Sequence, residues 1–285
     1  MTLLKVAIQK NGRLSEDSKE LLAECGINFL NGTAALKTKA INFPIEALFL
    51  RDDDIPQYVE QKVADIGIIG ENVFSEKRKD VKIIKRLGFA GCRLSLAIPK
   101  EETYTGTKYF MNKKIATSYP VILNDFLQKH QITAEVEEIS GSVEIAPGIG
   151  LANAICDIVS SGSSLMANGL VEVETILKSE AVIIANKDLA PEKEEIINNL
   201  LFRIQTVKNA KENKYILLNA PESSVDEICK ILPGMKSPTV FPLIEKGWCS
   251  VHSVVKENEL WEKIDLLKKA GAENVLIVPV EKMIL

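Results

Sequence analysis

One apolar run near the middle of the chain limits the fold more than any other segment. Residues 154–159 (Ala-Ile-Cys-Asp-Ile-Val) hold a single acid, Asp157, and lead directly into Ser160-Ser161-Gly162-Ser163-Ser164. Such a run predicts a buried strand, and the small residues after it predict a tight loop. A short helix over residues 165–167 is expected to follow. A buried strand that passes through a loop into a helix is typical of a layered α/β domain.

The loop after this strand carries groups that suit a phosphate. Its serines supply hydroxyls, and its turn directs several backbone N–H groups into one concavity. Asp157 cannot favour a phosphate by charge, but it can accept hydrogen bonds from sugar hydroxyls beside one. Glu144, one segment upstream, offers a second carboxylate for the same sugar. The pattern indicates a phosphorylated ribose. An ordinary serine-rich turn and a solvated loop acid are the alternatives that these residues alone leave open.

Five further segments, together with the serine loop, resemble one known protein family. They are Ala7–Leu14, Arg51–Pro56, Ala64–Asn72, Gly91–Ala97 and Ala116–Pro120. Together with the phosphoribosyl-pyrophosphate signature at residues 144–165, they resemble the ATP phosphoribosyltransferase family, which catalyses the first step of histidine biosynthesis. The resemblance runs in order through nearly the whole chain. It includes the C-terminal segment that marks the long, self-regulating form of the family.

The composition excludes some classes of partner. The chain has 285 residues, 46% of them hydrophobic, which is enough for a core and for more than one domain. Its net charge is −4, and no run of Lys and Arg is long enough to follow a nucleic-acid backbone, so we expect no nucleic-acid partner. We expect no membrane partner and a cytoplasmic location, because the sequence shows neither an apolar leader nor an apolar span of about 18 residues.

The cysteines and histidines predict neither disulfides nor a metal site. The five cysteines are odd in number and form no Cys-x-x-Cys pair, so reduced core thiols are expected. His130 and His252 lie far apart and lack metal-ligand spacing, so both are expected to be structural. With two histidines, the chain has little material for a Ser-His-Asp or Cys-His arrangement.

Strands and helices alternate as far as about residue 210, which predicts two α/β lobes. Residues 1–99 plus 181–210 are expected to form the first lobe, and residues 100–180 the second lobe with the serine loop. A six-residue echo between residues 65–70 and 157–162, Asp-Ile at its start and Gly at its end, favours two related lobes. The resemblance implies a core that is like the type II periplasmic-binding proteins.

Residues 214–285 have the element order βαββαβ, which predicts a ferredoxin-like sandwich. Strands are expected at 215–219, 240–244, 249–255 and 275–280, and helices at 225–232 and 260–270. A dimerisation or scaffold domain is the plain interpretation. The resemblance implies instead an allosteric domain that binds histidine as an inhibitor, and a homo-oligomer in which dimers assemble into hexamers. The residues that would surround histidine are Asn219, Ser237, Thr239 and Ala272.

The resemblance also implies a reaction. N1 of the ATP adenine attacks the anomeric carbon of phosphoribosyl pyrophosphate, pyrophosphate leaves, and N1-(5-phosphoribosyl)-ATP forms. The adenine nitrogen already has its lone pair, so the reaction needs positioned groups that stabilise an oxocarbenium-like ribose and a charged leaving group. Mg²⁺ is expected as the cofactor, held by the substrate phosphates and not by a dedicated protein site.

Carried onto this sequence, the family's site falls at strand ends in both lobes. The expected phosphoribosyl-pyrophosphate contacts are Lys10, Arg51, Glu144, Asp157, Ser160, Ser161, Gly162, Ser163, Ser164 and Leu165. The expected ATP contacts are Gly12, Arg13, Glu71, Arg93, Tyr119 and Pro120. Glu144 and Asp157 are the predicted catalytic residues, because they would accept hydrogen bonds from the ribose hydroxyls.

Several of these residues allow a second interpretation. The cations Lys10, Arg13 and Arg51 would be ordinary solvated charges if they did not face the cleft. Arg93 enters an apolar run, where an unpaired charge is costly, so it meets either a ligand or an internal acid. Tyr119 either lines a purine pocket or packs in the core. For the whole chain, the alternatives are a two-lobed small-molecule binding protein and a catalytically silent regulatory homologue.

Overall fold

The computed structural model describes residues 2–29 and 36–285. The chain forms two compact units, one from residues 1–23 and 27–197 and the other from residues 24–26 and 198–285. The described part of the first unit contains two β-sheets, and that of the second unit contains one.

Strands and helices alternate through the first unit. The strands up to residue 186 are β1 (Leu4–Gln9), β2 (Lys37–Lys39), β3 (Ile45–Leu50), β4 (Ile66–Gly70), β5 (Val81–Arg86), β6 (Cys92–Pro99), β7 (Lys114–Thr117), β8 (Glu135–Glu138), β9 (Ala154–Val159), β10 (Leu170–Ser179) and β11 (Ala181–Asn186). The helices are α1 (Arg13–Glu24), α2 (Ile55–Glu60), α3 (Glu71–Lys77), α4 (Pro120–Lys129) and α5 (Ser163–Ala167).

The two sheets of this unit share a five-strand topology, to which the six-stranded sheet adds β2 at its edge. The six-stranded sheet has the order β2-β3-β1-β4-β11-β5, and the five-stranded sheet has the order β10-β6-β9-β7-β8. In each sheet a central strand, β1 or β7, lies between two parallel neighbours, and the next strand, β11 or β6, is antiparallel. We call the first sheet with α2 and α3 the six-stranded lobe, and the second sheet with α4 and α5 the five-stranded lobe.

The chain register does not follow the sequence echo. Asp65 directly precedes β4, whereas Asp157 is the fourth residue of β9. Gly67, the third residue of the echo, is the second residue of β4, whereas Val159, the third residue of its counterpart, is the last residue of β9. The lobes therefore repeat in topology, but the six similar residues do not occupy equivalent positions.

The chain passes between the lobes along two adjacent segments. The first runs from β5 to β6 and the second from β10 to β11. The N–H of Leu87 donates to the carbonyl of Ala181 at 2.9 Å, and the N–H of Ala181 donates to the carbonyl of Phe89 at 3.0 Å. As a result β11 returns to the six-stranded sheet and fills the place between β4 and β5. β6, which the predicted boundary at residue 99 assigns to the first lobe, pairs with β9 and β10 in the five-stranded sheet.

The second unit has the predicted ferredoxin-like order. Its further elements are α6 (Pro191–Lys211), which begins in the first unit, β12 (Asn213–Pro221), α7 (Val225–Ile231), β13 (Thr239–Pro242), β14 (Trp248–Lys256), α8 (Leu260–Lys269) and β15 (Glu273–Pro279). The sheet order is β13-β14-β12-β15, with antiparallel pairing throughout. Alternate residues of β12, Ile216 and Leu218 among them, are buried against α7 and α8. The predicted fold class, a two-lobed periplasmic-binding-protein-like core with a ferredoxin-like C-terminal domain, is confirmed.

Some element bounds differ from the sequence-based prediction. The apolar pattern of residues 132–139 predicts one strand, but the strand observed there is limited to β8. The N–H of Ile132 bonds to the carbonyl of Leu127 at the end of α4, and the side chain of Ile132 is buried there. The hairpin strand expected over residues 240–244 is β13, which ends at Pro242. In the parts of the chain that the structure describes, no helix combines the length and the hydropathy that a membrane span requires.

Candidate active site at the end of β9

Asp157 lies near the carboxyl end of β9, where the parallel strands of the five-stranded lobe terminate. Its side chain is half-buried, and its Oδ1 accepts the N–H of Ile158 at 2.8 Å. Burial raises the pKa of this carboxyl to about 6, the Ile158 N–H lowers it, and the charge of Glu144 raises it further. The two predicted catalytic acids are therefore close enough to influence each other.

The serine loop joins Glu144 directly. Ser164 Oγ donates to Glu144 Oε1 at 2.9 Å across twenty residues of sequence. Glu144 is held there by a 3-10 turn at Val143–Ile145, and Val143 is 1% exposed in the core of the lobe. Within the loop, the Oγ atoms of Ser161 and Ser163 lie 3.0 Å apart.

Gly162 allows the loop to turn. Its φ of +81° lies in the left-handed region that glycine adopts without strain. The loop then leads into α5, and the side chain of Leu165 is buried behind it. The structure thus places the two acids and the loop residues of the predicted phosphoribosyl-pyrophosphate site in one constellation.

Arg93 is engaged with the protein itself. Its Nε and Nη2 each lie 2.5 Å from the carboxylate oxygens of Glu172 on the adjacent strand β10, and its Nη1 donates to the carbonyl of Ser160 at 3.1 Å. The hydrogen bond from Arg93 lowers the pKa of Glu172. Of the two interpretations of Arg93, the internal ion pair is the one observed, and the ATP contact stays a prediction. Sequence reasoning missed Glu172, although the costly charge of Arg93 was the signal that an acid had to lie nearby.

Tyr119 lies between the lobes at the start of α4. Its N–H donates to Thr117 Oγ1 at 2.9 Å, and its hydroxyl accepts Asn72 Nδ2 at 3.1 Å. The pKa of its half-buried phenol is raised, mainly by burial, and the charge of Asp157 contributes to the rise. Pro120 follows as the first residue of the helix and has no N–H to donate. Asn72 was not among the predicted site residues.

The predicted cations of the six-stranded lobe follow neighbouring strands. Lys10 comes after β1 and Arg51 after β3, and the N–H of Lys10 donates to the carbonyl of Leu50 at 2.8 Å. Gly12 has a φ of +93°, and Arg13 opens α1 directly after it. The side chains of Lys10, Arg13 and Arg51 are exposed.

Glu71 opens α3 at the end of β4. Its carboxylate forms an ion pair with Arg86 on β5, and its N–H donates to the carbonyl of Glu180 at 2.9 Å. Among the described residues, no group of three or more His, Cys, Asp and Glu side chains has the arrangement of a metal site.

The four residues predicted to bind free histidine separate into two groups in the second unit. Ser237 and Thr239 line a cavity of about 400 Å³ together with Tyr215 and His252. His252 bonds to the hydroxyl of Tyr215 at 2.8 Å and to that of Ser250 at 3.0 Å.

Asn219 and Ala272 lie at the other end of β12. Asn219 is paired with Ser250 and Glu273, and the side chain of Ala272 is buried in the core of the unit. The cavity described above therefore lies beside Ser237 and Thr239, and neither Asn219 nor Ala272 lines it.

Comparison with known proteins decides the family. The sequence profile described as "ATP phosphoribosyltransferase" matches residues 51–206, and the one described as "HisG, C-terminal domain" matches residues 210–282. The chain belongs to the ATP phosphoribosyltransferase family. The C-terminal match is that of the long form of the family.

Individual relatives agree with this membership. The ATP phosphoribosyltransferase of Cytophaga hutchinsonii is 56% identical over 283 residues, which cover 99% of each chain. That of Bacteroides thetaiotaomicron is 56% identical over 282 residues, covering 99% of this chain and 100% of the relative. Among solved structures, a chain of the HisG:HisZ ATP phosphoribosyl transferase complex of Thermotoga maritima matches with a TM-score of 0.62 and 28% identity, over 71% of this chain and 96% of that one.

Proposed function

We propose that the chain transfers the phosphoribosyl group of phosphoribosyl pyrophosphate to N1 of the ATP adenine at the end of β9. The products are N1-(5-phosphoribosyl)-ATP and pyrophosphate, and this is the first step of histidine biosynthesis. Membership of the family makes the chain a pentosyltransferase whose substrates are ATP and phosphoribosyl pyrophosphate. The observation that carries the placement is the constellation of Asp157, Glu144 and the serine loop, with Ser164 bonded to Glu144.

The five-stranded lobe would bind the phosphorylated ribose. The hydroxyls and backbone N–H groups of residues 160–164 would donate to the 5′-phosphate, and Leu165 would close the loop behind it. Glu144 and Asp157 would accept hydrogen bonds from the ribose hydroxyls. Two carboxylates beside the ribose also favour the positive charge that develops at the anomeric carbon in an oxocarbenium-like transition state.

Pyrophosphate leaves as an anion and needs positive neighbours. Lys10 and Arg51 are exposed at adjacent strand ends, so they are the proposed contacts of the leaving group. Mg²⁺ is the proposed cofactor, because hard oxygen donors suit it and because it can bind the substrate phosphates while keeping several of its own waters. In the part of the chain that the structure describes, the ribose site offers the oxygens of Glu144 and Asp157 and the serine hydroxyls, a set that fits an ion held mainly by the substrate. When bound, the ion neutralises the pyrophosphate oxygens.

ATP would contact both lobes. Gly12, Arg13 and Glu71 would approach it from the six-stranded lobe, and Arg93, Tyr119 and Pro120 from the five-stranded lobe. N1 of the adenine carries its own lone pair, so the proposed role of these residues is to orient it toward the anomeric carbon. Arg93 contributes by holding the carbonyl of Ser160, whether or not it also touches the nucleotide.

The second unit would regulate the reaction. We propose that residues 214–285 bind histidine as a feedback inhibitor, with Ser237 and Thr239 in the cavity and Asn219 and Ala272 beside β12. The proposed domain division is two catalytic lobes within residues 1–210, with β6 in the five-stranded lobe, and a regulatory domain at residues 214–285. The chain is proposed to act in the cytoplasm as a homo-oligomer in which dimers assemble into hexamers. Histidine can inhibit only if it binds one global state of the protein more tightly than another.

Two measurements on the full chain test the enzyme proposal. Turnover of ATP plus phosphoribosyl pyrophosphate is followed by the absorbance of the product, and calorimetry measures binding of phosphoribosyl pyrophosphate in the presence of Mg²⁺. We expect both signals. Binding without turnover would identify a binding protein or a silent homologue, and the absence of both from folded protein would refute the proposal.

The histidine proposal is tested by Thr239→Val, which removes one hydroxyl from the cavity and keeps the side-chain shape. Loss of a positioned hydrogen bond should weaken inhibition by histidine about tenfold, while turnover without histidine stays unchanged. The matched control is Ser223→Ala, which removes an exposed hydroxyl from the same unit. Unchanged inhibition in Thr239→Val would place histidine elsewhere.

A further inference from the structure

Helix α3 of the six-stranded lobe reaches the first turn of α4 in the five-stranded lobe. The carboxylate of Glu76 accepts the N–H of Val121 at 2.9 Å and the N–H of Ile122 at 3.0 Å. Glu76 is only 9% exposed, so this carboxylate is a buried group committed to the other lobe. The N-terminal end of a helix favours a negative charge, which makes the contact attractive as well as hydrogen-bonded.

These two bonds complete the hydrogen bonding of the first turn of α4. Pro120 has no N–H, Val121 and Ile122 donate to Glu76, and the N–H of Leu123 donates to the carbonyl of Tyr119 at 3.1 Å. The side chain of Tyr119, the residue that precedes the helix, does not cap it. A helix normally obtains its cap from the residue just before it. Here the cap comes from 45 residues upstream and from the other lobe.

A second contact fixes the same end of α4. Asn72, 7% exposed, donates from Nδ2 to the Tyr119 hydroxyl at 3.1 Å. Its Oδ1 accepts the hydroxyl of Ser179 at 2.9 Å, and its own N–H donates to Ser179 Oγ at 3.0 Å. The amide of Asn72 is therefore held on both sides, and the place of the Tyr119 ring is set from the six-stranded lobe.

We propose that Glu76 is a positioning residue for ATP: its carboxylate holds the first turn of α4, and with it Tyr119, at a fixed place relative to the six-stranded lobe. This inference rests on the proposed function, in which Tyr119 lies beside the bound nucleotide. The proposed ATP contacts are divided between the lobes, so the fit of ATP depends on the spacing that Glu76 maintains. The contacts of the ribose and its 5′-phosphate lie within the five-stranded lobe and do not need this spacing, whereas the proposed pyrophosphate contacts Lys10 and Arg51 lie in the six-stranded lobe.

The cap by Glu76 also indicates which of two helix N-termini can bind a substrate phosphate, that of α4 or that of α5 with its serine loop. The first turn of α4 has no N–H left to offer an anion, and the carboxylate of Glu76 would repel one. The serine loop is under no such restriction. Phosphate groups of both substrates are therefore excluded from the start of α4 for as long as Glu76 caps it.

The test is Glu76→Gln, which keeps the side-chain shape but replaces one acceptor oxygen with an NH₂ group that faces a backbone N–H. We expect the KM for ATP to rise about tenfold, because misplaced contacts to a substrate are costly even far from the chemistry. The dissociation constant of ribose 5-phosphate, which has no pyrophosphate group to reach the six-stranded lobe, should change less than about twofold in calorimetry. Faster amide exchange at Val121 and Ile122 should accompany the change in KM.

The matched control is Asp125→Asn on the same helix. Asp125 pairs with Arg78 at the end of α3, but both side chains are 58% exposed, and exposed ion pairs contribute little. This variant also removes one carboxylate between the lobes, and we expect its KM for ATP to stay within about twofold of wild type.

An active wild type whose Glu76→Gln variant keeps its KM for ATP would refute the role of Glu76. Equal weakening of ATP and of ribose 5-phosphate would do the same, since it would show a general structural role. Should Glu76→Gln fail to fold, Tyr119→Phe removes the bond to Asn72 and leaves the cap intact. A KM for ATP raised about threefold, with unchanged binding of ribose 5-phosphate, then supports the inference, and an unchanged KM opposes it. A wild-type chain without turnover would instead refute the proposed function.

Discussion

β4 and β9 occupy the same place in their two sheets, yet their carboxyl ends are used differently. β4 passes without a loop into α3, and the polar residues there are committed to the protein: Glu71 pairs with Arg86, and Asn72 bonds to Ser179 and Tyr119. β9 is followed by the serine loop before α5 begins, and Asp157 remains an acid whose burial raises its pKa.

The difference shows that topology alone does not make a ligand site. A parallel strand end brings polar groups to one edge of a sheet in both lobes. At the end of β4 those groups are paired with other protein groups, and Asn72 helps to position the other lobe. In the five-stranded lobe the inserted loop and the incompletely paired acid leave groups that a ligand can complete. Three predictions would break or sharpen this comparison.

The largest effect is expected for Asp157→Ala. Removal of one positioned polar group at a reaction centre should lower turnover at least about 10²-fold. Steady-state kinetics with both substrates measures the loss, and thermal denaturation shows whether the variant is folded. Asp188→Asn is the control, since Asp188 is a carboxylate whose side chain is 79% exposed and pairs only with Lys62. Near-normal turnover in folded Asp157→Ala would remove the functional distinction between the two strand ends.

The second prediction concerns the pH dependence of stability in the unliganded protein. Burial raises the pKa of Asp157 from 3.8 to about 6. Because the folded pKa is the higher one, the protonated acid contributes stability that is complete below about pH 4 and is lost as the pH rises through about 6. Asp157→Asn should therefore unfold less readily than wild type at pH 8, by roughly 2–3 kcal/mol, and should lose this advantage near pH 4.

Denaturant unfolding of wild type and Asp157→Asn at both pH values checks the difference. A difference in unfolding free energy that does not change between pH 4 and pH 8 would mean that the acid is not destabilised by its surroundings. The strand ends would then differ in loop length but not in electrostatics.

The smallest effect is expected for Gly67→Ala in β4. A Cβ at Gly67 would overlap the side chain of Ile55 on α2 and approach Val59 to 3.2 Å. Overpacking of this kind costs about 1–3 kcal/mol in the free energy of unfolding. β9 contains no glycine, so a helix packed against a residue without a side chain is a feature of β4 and not of β9.

Gly91→Ala is the control for this variant, because its added Cβ meets nothing within 4 Å. It should be neutral or slightly stabilising, by up to about 1 kcal/mol, through the entropy of the unfolded chain. Equal stability of the two variants in denaturant unfolding would contradict the packing difference between β4 and β9.

The sequence predicted local features better than distant contacts. The apolar run with its serine loop predicted β9 and the start of α5 because strand period and turn residues are read within a few positions. The predicted length of the strand at β8 was wrong, because Ile132 packs against the end of α4 and does not extend the strand. Tertiary contacts commonly override such patterns at element ends.

The polar contacts that organise the site were not predictable in this way. Glu144 meets Ser164 across twenty residues, Arg93 meets Glu172 across 79, and Glu76 caps α4 across 45. No local pattern links such pairs, so the sequence alone could show only that a charge or a helix start needed a partner. The resemblance to the family supplied Glu144, but it supplied neither Glu172 nor Glu76.

The return of β11 between β4 and β5 has a consequence for synthesis of the chain. All strands of the five-stranded sheet lie within residues 92–179, so that sheet is complete before β11 has been made. Until then β4 and β5 lack the neighbour that joins them, and both present open edges. The five-stranded lobe should thus become ordered first on the ribosome. The earliest residues to emerge wait for the latest strand to close their layer.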